Sequence, residues 1–266
     1  MKISKLTITS AVFCAVSLAC YYGYSFYNSV IKDQTYPIIE IVEAEIEVSV
    51  EDEKEALLKG VTAYDEKDGE ITDSLVIESI SRFANSKRTV TYAAFDKDFH
   101  VCKATRIISY TDYEAPKFSC KAGYRFPMGV ESVVNNMTAK DCLDGNLTKA
   151  IKVSPGFYVD TSTPGLYSFK YQVANSAGDV EYLPVTVEIY DPMDSNVIDF
   201  ELKDYVVYTE KGKAIDAKSY LDVEEPDYYN IDDSQVNYNE PGVYEIIYSI
   251  KMGERRGTNR LAVVVR

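Results

Sequence analysis

The residues best equipped for chemistry in this chain are carboxylates in spaced sets. Asp65, Asp68 and Glu70 fall close together, and Asp141, Asp144 and Asn146 repeat the arrangement. Oxygen ligands at alternating positions of a turn can collect a calcium ion, which makes Asp65, Asp68, Asp141 and Asp144 the metal candidates. The spacing is not that of an EF-hand, whose longer loop closes on a bidentate glutamate. Asp68 and Asp144 each precede a glycine. Asp-Gly is a preferred turn pair, because glycine accepts positive φ and an aspartate side chain can satisfy turn amides. The turn is therefore the stronger expectation, with no cofactor, and calcium is the weaker one.

Other chemistry finds little support. His100 is the only histidine, and no serine or cysteine near it forms a nucleophile motif. Nucleophilic catalysis needs a base oriented by a third group, and no such set is recognisable. Phosphate-cradling glycine loops, zinc spacings and dinucleotide fingerprints are also missing from the sequence. No catalytic residue is assigned, and the chain is expected not to be an enzyme.

Binding is harder to dismiss, since the chain has 23 tyrosines and no tryptophan. Tyrosine supplies rigid amphipathic contact area, whereas tryptophan would be the best sugar-stacking platform. Tyr92, Tyr171 and Tyr248 recur at one position of an internal repeat, and Tyr167 and Tyr244 at another, as core residues would. Tyr228 and Tyr229 lie instead in the acidic stretch Glu224–Asn230, and are the candidates for contact with a protein or surface-glycan partner. Nucleic acid is excluded on charge. From the start of the chain to Lys32 the only charges are Lys2, Lys5 and Lys32 itself, so everything beyond carries all 42 acidic groups against the 28 basic ones less those three lysines. Such a body repels phosphate backbones.

The elements that must position these residues come in three copies. Ala63–Thr72 and Ala139–Thr148 both read A-x-D-x-x-D-G-x-[IL]-T. At nearly the same period Thr163–Tyr171 returns as Glu240–Tyr248, each with a Pro-Gly pair after its first residue. After that pair Tyr167, Phe169, Tyr171 and Val173 alternate with polar residues, as do Tyr244, Ile246, Tyr248 and Ile250. Period two places each set on one face of a strand. Short strands punctuated by Gly, Pro, Asp and Asn, with only Glu53–Lys59 locally helical, predict sandwiches of two antiparallel sheets.

Ahead of the repeats, Leu6–Phe26 carries no charge and is long enough to span a bilayer. Lysines on its leading side put the rest outside by the positive-inside rule, and Tyr21, Tyr22, Tyr24, Phe26 and Tyr27 resemble an interfacial belt. Three outcomes stay open: an uncleaved anchor, which is favoured; cleavage before Cys20; and lipidation of Cys20, against which Ser17 stands where a lipobox normally has leucine. Cys102, Cys120 and Cys142 lie beyond this segment, an odd number. Cys102 reads as a small buried hydrophobe. Cys120 and Cys142 share a repeat and could bond only if folding brings them close.

The A-x-D-x-x-D-G-x-[IL]-T segment, the P-G-x-Y-x-[FI]-x-Y hairpin strand and the following turn and last strand resemble the bacterial immunoglobulin-like repeat first described from a pesticidal crystal protein and common on clostridial surfaces. The resemblance covers residues 36–266. It implies fold and surface location, and is nearly silent on function, because such repeats serve as spacers, stalks and adhesion modules. The third copy departs from the pattern, with Tyr220–Asp227 lacking the Asp-Gly pair.

The expected fold is all-β: three tandem immunoglobulin-like β-sandwiches after one N-terminal transmembrane helix. Residues 1–35 form a cytoplasmic stub, membrane segment and linker, followed by domains at 36–116, 117–192 and a divergent 193–266. The expected function is a membrane-tethered extracytoplasmic rod with a structural, spacer or adhesive role. The alternative is an accessory subunit of a membrane complex, docking through its helix and its immunoglobulin-like domains.

Overall fold

The structure is a computed structural model and describes residues 5–28, 35–84 and 86–266. Lys2 and Lys32, two of the flanking charges, lie outside the described residues. The helix α1 runs from Lys5 to Phe26, and its membrane-length window Ile8–Phe26 buries none of its surface against the rest of the protein. Beyond residue 35 the described residues form strands, turns and single-turn helices. The locally helical stretch anticipated at 53–59 is a 3₁₀ turn, Lys54–Leu58.

The first sandwich uses β1 (Ile38–Ile41), β2 (Glu45–Val48), β3 (Val61–Asp65), β4 (Gly69–Glu70), β5 (Val76–Ile80), β6 (Lys87–Phe95) and β7 (Val101–Tyr110). One sheet has the order β1-β3-β4 and the facing one β2-β7-β6-β5. The second sandwich repeats this with β8 (Lys117–Cys120), β9 (Arg125–Pro127), β10 (Met137–Asp141), β11 (Gly145–Asn146), β12 (Lys152–Val153), β13 (Gly165–Ala174) and β14 (Val180–Tyr190). Its sheets are β8-β10-β11 and β9-β14-β13-β12. The third uses β15 (Glu201–Leu202), β16 (Val206–Thr209), β17 (Leu221–Asp222), β18 (Asn230–Asp232), β19 (Gly242–Met252) and β20 (Arg255–Val265), ordered β15-β17 and β16-β20-β19-β18. In each, the second strand leaves the first sheet and pairs in parallel with the last strand.

The alternation read in the sequence is the alternation of burial. Phe169, Tyr171 and Val173 face inward along β13, and Ile246, Tyr248 and Ile250 along β19. Tyr92, Tyr171 and Tyr248 are fully buried, and their hydroxyls donate to the carbonyls of Leu57, Val133 and Ala217 at 2.6, 2.8 and 2.8 Å. A buried phenol needs such a partner, so each tyrosine ties its sheet to the connection crossing the far side. Tyr167 and Tyr244 are half-buried, pack against the core and close their own Pro-Gly turns, donating to the carbonyls of Thr163 and Glu240.

Two compact units result, Met1–Asp112 and Tyr113–Arg266. In the first, the sandwich core is small, centred on Val48, Leu57, Val61, Val90, Tyr92 and Ile108. In the second, sandwiches two and three share one continuous apolar core, from Phe118 to Val265. Their joint is also polar. The Tyr124 hydroxyl donates to the Tyr205 carbonyl at 2.7 Å, the Tyr205 amide to the Cys120 carbonyl at 3.1 Å, and the Phe118 amide to the Tyr208 hydroxyl at 2.7 Å. Arg125 bridges Glu188 and Asp199 at 2.9 and 2.6 Å.

Candidate functional site

The paired acidic motifs fold into the same turn twice. Asp65 is buried, and its Oδ1 accepts from the backbone amides of Lys67 and Asp68 at 2.9 and 3.0 Å, while Oδ2 accepts from the Thr35 hydroxyl at 3.3 Å. Asp141 is buried likewise: Oδ1 accepts from the amides of Leu143 and Asp144, and Oδ2 from Asn175 Nδ2 at 2.9 Å. Gly69 and Gly145 follow at φ of 76° and 70°, a left-handed conformation that side chains resist. The closing threonines complete the motif, with Thr72 Oγ1 accepting from Ala63 N and Thr148 Oγ1 from Ala139 N.

The second aspartate of each motif reaches another hairpin. Asp68 accepts from Lys97 N at 2.9 Å and Lys97 Nζ at 3.1 Å. The Lys97 amide, and then its ammonium, hold the Asp68 carboxyl below the usual carboxylate range against an opposing effect of burial. Asp144 accepts from Ser176 N and Oγ at 2.6 and 2.7 Å. Every oxygen of Asp65, Asp68, Asp141 and Asp144 thus faces a donor. Among the described residues no three or more His, Cys, Asp or Glu side chains gather as a metal site would require.

Residues 121–189 match the family described as "Bacterial surface protein, Ig-like domain". The middle sandwich is similar to that family's domain over those residues. The match spans β9 to β14; the first sandwich repeats the strand order of the second, and the third repeats it without a counterpart of β11. No curated protein matches the chain. Among solved structures, the CBM51-2 and INT domains of Clostridium perfringens ZmpB, in complex with GlcNAc, share 20% identity over 55% of this chain and 26% of that one, at a TM-score of 0.23. Drosophila N-cadherin EC1-4 shares 15% over 88% and 76%, at 0.22, and mouse cadherin-23 EC22-24 shares 13% over 88% and 99%, also at 0.22. Scores of this size carry no argument. The chain spans 26% to 44% of the length of three Clostridium perfringens structures that it matches. A surface Ig-like domain behind an apolar helix fits a membrane-anchored or secreted surface protein.

The remaining candidates separate. Tyr228 is 64% exposed in the turn leading to β18, whereas the neighbouring Tyr229 ring turns inward and packs edge-on against Phe200 at 4.8 Å. Of the two, Tyr228 is the one that presents its ring to solvent. Cys120 is buried and its thiol is pushed up to about 11 by burial, while Cys142 is exposed. Cys120 pairs across the sheet with Met137, and Cys142 lies just past the far end of that same strand, so the two are roughly 15 Å apart, beyond disulfide reach. Cys102 is half-buried on β7.

Three features are not visible as sites in the sequence. Arg106 is buried at the register position held by Val185 and Leu261 in the other sandwiches, and donates to the carbonyls of Glu43 and Lys59 at 2.7 and 2.9 Å. His100 Nδ1 lies 2.7 Å from the buried Asp96, where sandwich two has Asp179 and Asn175. Finally, Phe99 adopts a φ of 67° where the same hairpin of the Ig-like domain has Gly178 at 82°. A side chain held there costs on the order of 1–2 kcal/mol. The available signal is the glycine of one repeat facing a phenylalanine in the other.

Proposed function

We propose that the protein is an N-terminally anchored, extracytoplasmic Ig-like protein that serves as a spacer or adhesive element and performs no catalysis. The observation that carries the reading is the order of the parts, a helix uncharged from Leu6 through Phe26 followed by three sandwiches, the middle one similar to a bacterial surface Ig-like domain. As a helix, the uncharged run Leu6–Phe26 rises about 30 Å, the thickness of a bilayer core. Lys2 and Lys5 favour the short N-terminal end inside, which leaves the sandwiches outside. The role needs no cofactor. A protein or surface glycan is the partner class, and Tyr228 is the aromatic contact offered to it.

Intact mass of the protein extracted from its native membrane tests the anchor. The uncleaved mass is expected; loss of everything before Cys20 would overturn it, and a diacylglycerol adduct on Cys20 would make the protein a lipoprotein. A second reading, an accessory subunit of a membrane complex, has its own support. Ser10, Cys14, Ser17, Tyr21 and Tyr24 recur every three or four positions along one face of the helix. Hydroxyls in hydrocarbon gain by bonding across to another helix. Recovery of a stoichiometric complex from mild detergent would favour this reading, and recovery of the protein alone the free-standing one.

A further inference from the structure

The hairpin of sandwich one that joins β6 to β7 is built at a disadvantage. Its left-handed position carries Phe99, whose ring is 81% exposed and therefore recovers no core burial for the strained backbone. Phe95, 44% exposed, stands at the base of the same hairpin, and the two phenylalanines with Ile71 and Lys97 line a shallow cleft of about 380 Å³. Backbone strain that no burial offsets is an outlier from which a function can be inferred.

The position of the hairpin identifies what that is. His100, next to Phe99, packs on Tyr36 with ring centroids 4.7 Å apart, and Thr35 bonds Asp65 at the neighbouring turn. The chain therefore enters the sandwich at this tip. Seven residue steps separate Asn28, at the end of the helical segment, from Thr35, so the entry point is held within roughly 25 Å of the helix end. Two of the tip's carboxylates are offset by lysines: Asp68 pairs with Lys97 at 3.1 Å and Asp98 with Lys67 at 2.8 Å.

We propose that this tip rests on the outer face of the bilayer, with Phe99 and Phe95 at the depth of the headgroups. The inference builds on the anchored reading, because the tether supplies the local concentration that a two-ring contact needs. Aromatic rings favour that depth, where an apolar body meets a wet boundary. Glu66 and Asp73, exposed beside the tip, direct the contact toward zwitterionic rather than anionic lipid.

The chain has no tryptophan, so Phe99→Trp places a single fluorophore at the tip. Full-length protein carrying it is reconstituted into phosphatidylcholine vesicles with and without bromine on the upper acyl chains. Val42→Trp, at the opposite end of β1 and 82% exposed, is the control. Bromine is expected to quench the tip fluorophore about two-fold or more and to leave the control fluorophore unchanged, because only the tip reaches the interface. Equal emission of the Phe99→Trp protein in both vesicles, with the protein floating alongside the lipid, would overturn the inference and leave the anchor standing. Protein that does not float would overturn the anchor, and the inference with it. Phe99→Gly provides an independent check. In detergent it should raise the melting temperature of sandwich one by about 5 °C, as strain is relieved. In vesicles that gain should shrink, since the lipid contact is lost, and an undiminished gain would count against the tip's role.

Discussion

Sandwich one and the fused pair of sandwiches two and three are built to one strand order yet solve the interior differently. At the inward position two residues before the repeated tyrosine, sandwich one has Val90, where the others have Phe169 and Ile246. Across the sheet from it lies Arg106, against Val185 and Leu261. The pair extends a single core through both sandwiches, whereas sandwich one closes its own around a guanidinium held by two carbonyls. Fold identity is thus set by strand order, tyrosine clamps and turns. The way the interior is filled is left free to make one domain independent and its neighbours inseparable.

That contrast predicts calorimetry. The largest expected effect is that the protein melts in two transitions, one per unit, rather than in three. A third transition, or a stable isolated fragment of residues 193–266, would dissolve the distinction. Next, Arg106→Ala should destabilise sandwich one by about 2–4 kcal/mol, since the carbonyls of Glu43 and Lys59 lose their donor and a cavity opens. The transition of the second unit should not move. Tyr124→Phe, which removes the hydroxyl donated to Tyr205, should lower only the second transition, by about 1 kcal/mol.

The smallest effects concern the acidic turns. Because the folded state holds the Asp68 carboxyl low, its contribution is present above the unfolded carboxylate range near pH 4 and is lost as pH falls through the lower folded value. Sandwich one should therefore loosen below about pH 4, and Asp68→Asn should flatten that dependence in a melting series. Calcium should leave both transitions where they are. An upward shift with added calcium would mean that the ion binds the folded state, and would reinstate Asp65, Asp68, Asp141 and Asp144 as ligands.

Much of this fold is legible in the sequence because it depends on periods of two and on turn chemistry. Tyr171 and Tyr248 announce their inward face through the alternation around them, and Asp-Gly announces its turn. The parallel pairing of β2 with β7 is not legible, since nothing in Glu45–Val48 names its partner. The shared core is hidden for a similar reason. Tyr124 and Tyr205 lie outside the regular strands, where the register that distinguishes a core residue from a loop residue is absent. Arg106 gives no sign of itself because a charge on an alternating strand is expected outward, and only the carbonyls of distant connections make its inward rotamer tolerable. In the sequence Phe99 is merely the residue beside His100. Its backbone angle, which gives it meaning, is a property of the folded hairpin.

The parallel pairing has a mechanical consequence. In every sandwich the early strand and the last strand run side by side in the same direction, over four residue pairs in β2 with β7 and in β16 with β20, and three in β9 with β14. Tension applied at the two ends of one sandwich pulls these neighbours in opposite senses along their length. Their hydrogen bonds then share the load in shear, instead of opening one after another like a zip. A domain strung between a membrane and whatever it holds would yield only when that whole patch lets go at once.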